Sequence, residues 1–219
     1  MNKINNIEEF FSPLRYLPLE FRPQYKDIEM LYEDYLNIED IWWENYKKIK
    51  SINVVIVGES PLSADQYIYN KNNKKDSNFL YRKYIENILT ITGRERKIYN
   101  KADMLKGMLE AGILVIDIFP YPLNLESFVS YSVLFKNNKY HRKITKEIYL
   151  QSSKWHLLPK IREISNNSST KLNYAFRYAR NFNFISSINE NHPFLDKNKL
   201  TIHRDRNNLD EVKLLKLFK

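Results

Sequence analysis

The chain of 219 residues contains no cysteine. That absence excludes disulfides, iron–sulfur clusters and thiolate zinc sites together. Long apolar runs are missing too: nothing approaches the roughly 20 consecutive apolar residues that cross a bilayer. The opening MNKINNIEEFFSPLRYLP has no continuous apolar stretch and carries acidic residues early. No secretory signal is therefore expected, and the expected location is the cytoplasm. Internal repeats and low-complexity linkers are also lacking. A single domain over 1–219 is expected, with an N-terminal arm and helix in 1–50 and an α/β core in 51–219.

What is present is enough to fold. Hydrophobic residues make up 43% of the chain and aromatics 14%, which is the composition of a packed core rather than of a disordered segment. Lysine and arginine outnumber aspartate and glutamate by 35 to 26, for a formal charge of +9. A surplus of that size favours an anionic partner, and nucleic acid is the commonest one. Genomic bias toward Lys, Asn, Ile and Tyr would give the same surplus, so the charge needs a site to support it.

Pro13, Pro18 and Pro23 imply an extended arm over residues 1–25 rather than a helix. Between Lys26 and Lys50, Ile28, Leu31, Tyr32, Tyr35, Ile38 and Trp42 recur at helical spacing. INVVIVG (52–58) and GILVID (112–117) are short apolar runs rich in branched residues, the pattern of strands buried on both faces. Helices are expected over 78–92, 101–111 (closed by Gly112), roughly 140–164, and 208–218. Asn166–Thr170 reads as a turn, KLNYAF (171–176) and FNFISSI (182–188) as two further strands, and 189–198 as a loop. Strands separated by helices predict a three-layer α/β/α sandwich around a central, mostly parallel four-stranded sheet. Such sheets bind ligands at the carboxyl ends of their strands, so the loops after Val57, Asp117 and Ile188 are the ones to read.

The first loop is GESPLSADQYIYN (58–70). Gly58 lets backbone approach a ligand closely, and Pro61 stiffens the turn. Tyr67 and Tyr69 offer faces on which a base could stack, or they return to the core as in an ordinary strand-to-helix loop. Asp117 ends the second strand, followed by Phe119 and Pro120, where burying a carboxylate is costly without a partner. It awaits a ligand donor, caps a helix or meets an arginine. The third loop holds Asn191-His192-Pro193, a rigid presentation of an imidazole, although a lone histidine is more often structural. Beyond it, His203, Arg204 and Arg206 supply cations suited to phosphates.

With these motifs in order, the chain resembles the uracil-DNA glycosylase superfamily over roughly residues 50–210. GESP looks like its first motif, written G-Q-D-P-Y-H in some members and G-E-A-P-G in the iron–sulfur members. GILVID resembles the inner strand G-V-L-L-L-N, whose terminal Asn reads the pyrimidine edge, and NHPF resembles the H-P-S motif, whose His faces the departing base. The pattern looks closest to bacterial glycosylase-like members, here without the cluster. The resemblance implies base flipping and hydrolysis of an N-glycosidic bond, acting on DNA as a monomer with no metal or other cofactor. It assigns Glu59, Ser60, Asp65 and His192 to the chemistry, and Gly58, Tyr67, Tyr69, Asn70, Asp117 and Phe119 to the base. Pro61, His203, Arg204 and Arg206 fall to the DNA.

Two positions depart from the motifs. Ser60 stands where the water-activating Asp is expected, leaving Glu59 and Asp65 as candidates for that role. Asp117 stands for the pyrimidine-reading Asn. An ionised carboxylate only accepts hydrogen bonds, so it favours the exocyclic amino group of cytosine and repels a carbonyl oxygen. The expected substrate is therefore a modified cytosine, of the kind phage DNA carries, rather than plain uracil, in a repair or a defence role. The alternatives are a non-catalytic nucleic-acid binder on the same fold, a nucleotide or nucleoside hydrolase, and a structural or partner-binding domain.

Overall fold

The structure is a computed structural model that describes residues 6–16, 25–61, 64–72, 82–94, 96–122, 139–168, 172–191 and 218. Helix α1 (Ile7–Phe11) and a 3-10 turn (Ser12–Tyr16) lead to the long α2 (Tyr25–Tyr46) and strand β1 (Val54–Gly58). A short 3-10 turn (Ala64–Gln66), α3 (Arg82–Ile91) and α4 (Lys101–Ala111) precede β2 (Ile113–Asp117). Then come α5 (Lys139–Ser152), a π-helical turn (Ser153–Leu157), α6 (Leu158–Asn166), β3 (Asn173–Phe176) and α7 (Ala179–Asn191).

The described strands form one parallel sheet in the order β2-β1-β3. Every residue of β1 and β2 is buried, as expected for parallel strands covered on both faces. Helix α4 ends where the sequence predicts, at Gly112. Asn100 accepts the Asp103 N–H at 2.9 Å at the head of α4, and Gly112 closes it at φ 66°, a conformation suited to glycine.

The expected fourth strand is not found among the described residues, and the two reasons are local. First, the outer edge of β2 is closed by side chains. Val115 donates its N–H to Tyr69 Oη at 2.6 Å and accepts from Trp42 Nε1 at 2.8 Å. These two groups lie where a further strand would pair, so the edge offers no template there. Second, residues 182–188 belong to helix α7 rather than to a strand. Asn181, Ile185 and Asn189, four apart, are its buried stripe. Two of these three are polar, so the helical period is hidden from a hydrophobicity reading.

The N-terminal segment also differs from the extended arm expected. Asn6 caps α1 by accepting the Glu8 N–H at 2.8 Å, and Phe10 and Leu14 are fully buried. Pro13 is tolerated because it sits at the start of the 3-10 turn, where its missing N–H is not needed. The long helix expected over 140–164 is interrupted at the π-helical turn, where the Leu158 N–H reaches back to Ser153 O. Pro159 follows directly. Its ring would collide with the carbonyl four residues back in an unbroken α-helix, and widening the preceding turn relieves this. The closing helix expected over 208–218 lies outside the described residues apart from Phe218.

Candidate functional site

The carboxyl ends of β1 and β2 are in register, Gly58 beside Asp117. A Cβ at position 58 would overlap Asp117 Oδ1 and lie 3.5 Å from Asp117 Cγ. Only glycine leaves room for that carboxyl to fold over the neighbouring strand. Asp117 is 9% exposed. Burial pushes its carboxyl up to about 7, against the pull of Lys160 and Arg177 and with smaller pushes from Glu39 and Glu59. Near neutral pH, both its neutral and its charged form are present.

Glu59 follows directly. Its carbonyl accepts the Phe119 N–H at 2.9 Å, tying the first strand tip to the second. Its side chain is nearly fully buried and is gripped by Arg180 from α7. Arg180 Nε reaches Oε1 at 2.7 Å and Nη2 reaches Oε2 at 2.5 Å, a two-pronged pairing of fork to carboxylate. Tyr149 Oη, from α5, stands 2.8 Å from Glu59 Oε1 and 2.9 Å from Asn181 Oδ1. One hydroxyl proton cannot serve both oxygens, and Asn181 Nδ2 is otherwise buried without a partner. With the amide turned over, Nδ2 donates to Tyr149, which donates to Glu59.

A second buried ionic group lies close enough to act on Asp117. Lys160 Nζ is 2.5 Å from Glu39 Oε1 and 4.4 Å from the centre of the Trp42 ring. His156 Nδ1 lies 3.8 Å from the same Glu39 oxygen. Burial, and then Lys160, hold His156 well below its usual range, so the imidazole is neutral near pH 7. Among the described residues, Glu59, Asp117 and Glu39 face Arg180, Arg177 and Lys160 in this region.

Of the residues the sequence pointed to, the structure brings Gly58, Glu59, Asp117 and Phe119 together. Ser60 is half-buried and Pro61 buried beside them, while Asp65 is exposed on the 64–66 turn. Tyr67 and Tyr69 correct an expectation. They are 2% and 3% exposed and pack edge to face with ring centres 5.7 Å apart, so neither presents an open face to a base. Tyr69 instead caps the sheet edge. The Asn70 N–H donates to Tyr67 O at 3.0 Å, and its Oδ1 accepts the Asn72 N–H at 3.0 Å, which forms a local turn. His192, His203, Arg204 and Arg206 lie outside the described residues. The chain leading to His192 is the helix α7, so the expectation that this histidine follows a strand end is corrected.

The sequence reading missed Arg177, Arg180, Tyr149 and Asn181. The third strand tip is Phe176, where the Arg177 N–H continues the ladder to Val57 O at 3.0 Å, and not Ile188. With that tip placed correctly, the two arginines in FRYAR would have stood out. A cavity of about 270 Å³ lined by Tyr46, Lys47, Lys50, Ser51 and Asn167 also opens in the protein. It lies where the chain enters β1, away from the carboxyl ends at which parallel sheets bind ligands. Comparison with known proteins gives no match: no family model, curated protein or solved structure is similar to the chain.

Proposed function

We propose that the protein is a DNA glycosylase that draws one nucleotide out of the stack and hydrolyses its N-glycosidic bond, leaving an abasic site. One arrangement carries this reading: the carboxyl of Asp117, buried at a strand tip over Gly58, with the Glu59 carboxylate on the adjoining residue. A buried carboxyl poised near pH 7 at the ligand-binding end of a parallel sheet is suited to read the edge of a base. Its charged form accepts from the amino group of a cytosine. Its neutral form both donates and accepts, and so also matches the N3–H and O4 of uracil. The ionised form selects a 4-amino pyrimidine, and within that class a modified cytosine is the proposed substrate.

Bond breaking passes through a cationic sugar and an anionic base. Water adds to C1′ as the C1′–N bond breaks, with its electron pair passing to the base. One water proton moves to Glu59 and then to the base, so the products are an abasic hemiacetal and a neutral free base. Glu59 suits this role better than the exposed Asp65, because a carboxylate in a low-dielectric site stabilises the sugar cation more strongly. His192 is assigned the base oxygen on which negative charge develops. Extruding the base costs a few kcal/mol, offset by contacts to the phosphates, and the charge of +9 favours such contacts.

A second reading, a non-catalytic nucleic-acid binder, draws support from the grip of Arg180 and Tyr149 on Glu59. The deciding experiment incubates the protein with single- and double-stranded oligonucleotides, each bearing one uracil, cytosine or 5-substituted cytosine, and assays alkali-labile sites. Cleavage at a 4-aminopyrimidine supports the proposal. DNA binding with intact glycosidic bonds on every substrate leaves the binder.

A further inference from the structure

The Glu59–Arg180 pair is lopsided. The Glu59 side chain keeps 1% of its exposure and that of Arg180 keeps 42%. The anion has nowhere else to go, whereas the cation faces solvent. Arg180 is also not alone at the tip of β3. The guanidinium carbons of Arg177 and Arg180 stand 4.9 and 5.3 Å from the centre of the Tyr178 ring, and Tyr178 itself is half-buried. Two forked cations flanking one partly exposed aromatic ring is the chemistry that holds a nucleic-acid backbone beside a base. A phosphodiester fits the arginine fork as well as a carboxylate does.

We infer that Arg177, Tyr178 and Arg180 form a phosphodiester-binding corner beside the base site, and that a bound DNA phosphate draws Arg180 off Glu59. The inference rests on the glycosylase reading of the strand tips and adds to it how the catalytic carboxylate is armed. Without DNA, Arg180 neutralises Glu59. With a phosphate on Arg180, Glu59 keeps the Tyr149 hydroxyl, itself braced by Asn181, but loses its cation. A buried carboxylate without a counter-charge attracts any cation that appears beside it. The cation that appears is the sugar, as the C1′–N bond breaks. The attraction is therefore stronger in the transition state than in the ground state, which is the condition for speeding the chemical step. Competition between phosphate and Glu59 for one guanidinium also makes the two sites thermodynamically coupled.

The test is a binding cycle on the full chain with a fluorescent oligonucleotide duplex, read at several salt concentrations, for wild type, Glu59→Gln and Glu59→Gln/Arg180→Gln. The double variant removes both charges and leaves two amides able to hydrogen-bond each other, so no buried charge is stranded. Thermal melting checks that each variant is folded. Releasing Arg180 by Glu59→Gln is expected to tighten DNA binding about tenfold. Adding Arg180→Gln is expected to reverse that gain and to lower the slope of log K against log salt by about one. Binding by Glu59→Gln that is no tighter than wild type overturns the exchange, and an unchanged salt slope on adding Arg180→Gln overturns the phosphate contact. Failure of the wild type to excise any base removes the glycosylase reading, while the binding cycle still decides the corner.

Discussion

Asp117→Asn isolates a desolvated carboxyl at the tip of β2. In the folded state burial raises the Asp117 carboxyl from 3.8 to about 7. A carboxyl whose folded value is raised binds a proton on folding at any pH between the two values. Its stabilising contribution is fully present below about pH 4 and is lost as pH rises through about 7. The displacement from 3.8 to about 7 corresponds to about 4 kcal/mol. Asparagine is nearly isosteric and does not titrate. The Asn variant is therefore expected to gain on wild type progressively between pH 4 and pH 8, with the difference changing by about 4 kcal/mol across that window. Urea unfolding of both proteins at half-unit pH intervals measures this directly, because other titrating groups cancel in the difference. A stability difference that stays constant from pH 4 to pH 8 would refute the claim that Asp117 is a desolvated carboxyl. A gain in stability accompanied by a weakened preference for the 4-amino base is the trade-off expected where a site is kept strained for function.

Three further outcomes are expected, two from the geometry of the sheet and one from the role proposed for His192. Gly58→Ala forces the new methyl group onto Asp117 Oδ1; it should cost about 1–3 kcal/mol, lower Tm by about 2–4 °C for each of these and abolish recognition of the base. Tyr69→Phe removes the acceptor for the buried Val115 N–H and should cost about 1–3 kcal/mol in denaturant unfolding; a smaller loss means that another group takes over the sheet edge. His192→Ala should slow excision about a hundredfold with DNA affinity nearly intact, and single-turnover rates at saturating enzyme would reveal an unchanged chemical step if His192 has no part in it.

The parts of the fold legible in the sequence were those written in neighbouring residues. β1 is an apolar run and β2 is one that ends on Asp117, and α4 carries its closing glycine, Gly112. The convergence of Glu59 and Asp117 was legible too, because both directly follow or end such runs and parallel strands align their ends. What escaped depends on contacts between distant positions. The closure of β2 by Trp42 and Tyr69 joins residues 73 and 46 apart, and the grip of Arg180 on Glu59 spans 121. Helix α7 was misread because buried asparagines interrupt its apolar period, and this error displaced the third strand tip from Phe176 to Ile188. The placement of Tyr67 and Tyr69 failed for a related reason. An aromatic on a loop reads alike whether its face meets a base or the core, and here the hydroxyl of Tyr69 completes a ladder that none of the described strands completes.

The central claim is that Asp117 reads a nucleobase, and the most direct measurement is the pH dependence of base choice. Excision, or binding where excision is slow, should be compared for oligonucleotides carrying a 4-amino pyrimidine and a 4-keto pyrimidine between pH 6 and pH 8.5. The preference for the amino base is expected to rise through about pH 7 in the wild type, as the carboxyl loses its proton, and to be flat in Asp117→Asn. A wild-type preference that is flat across this range, or that changes equally in the Asn variant, would contradict the account.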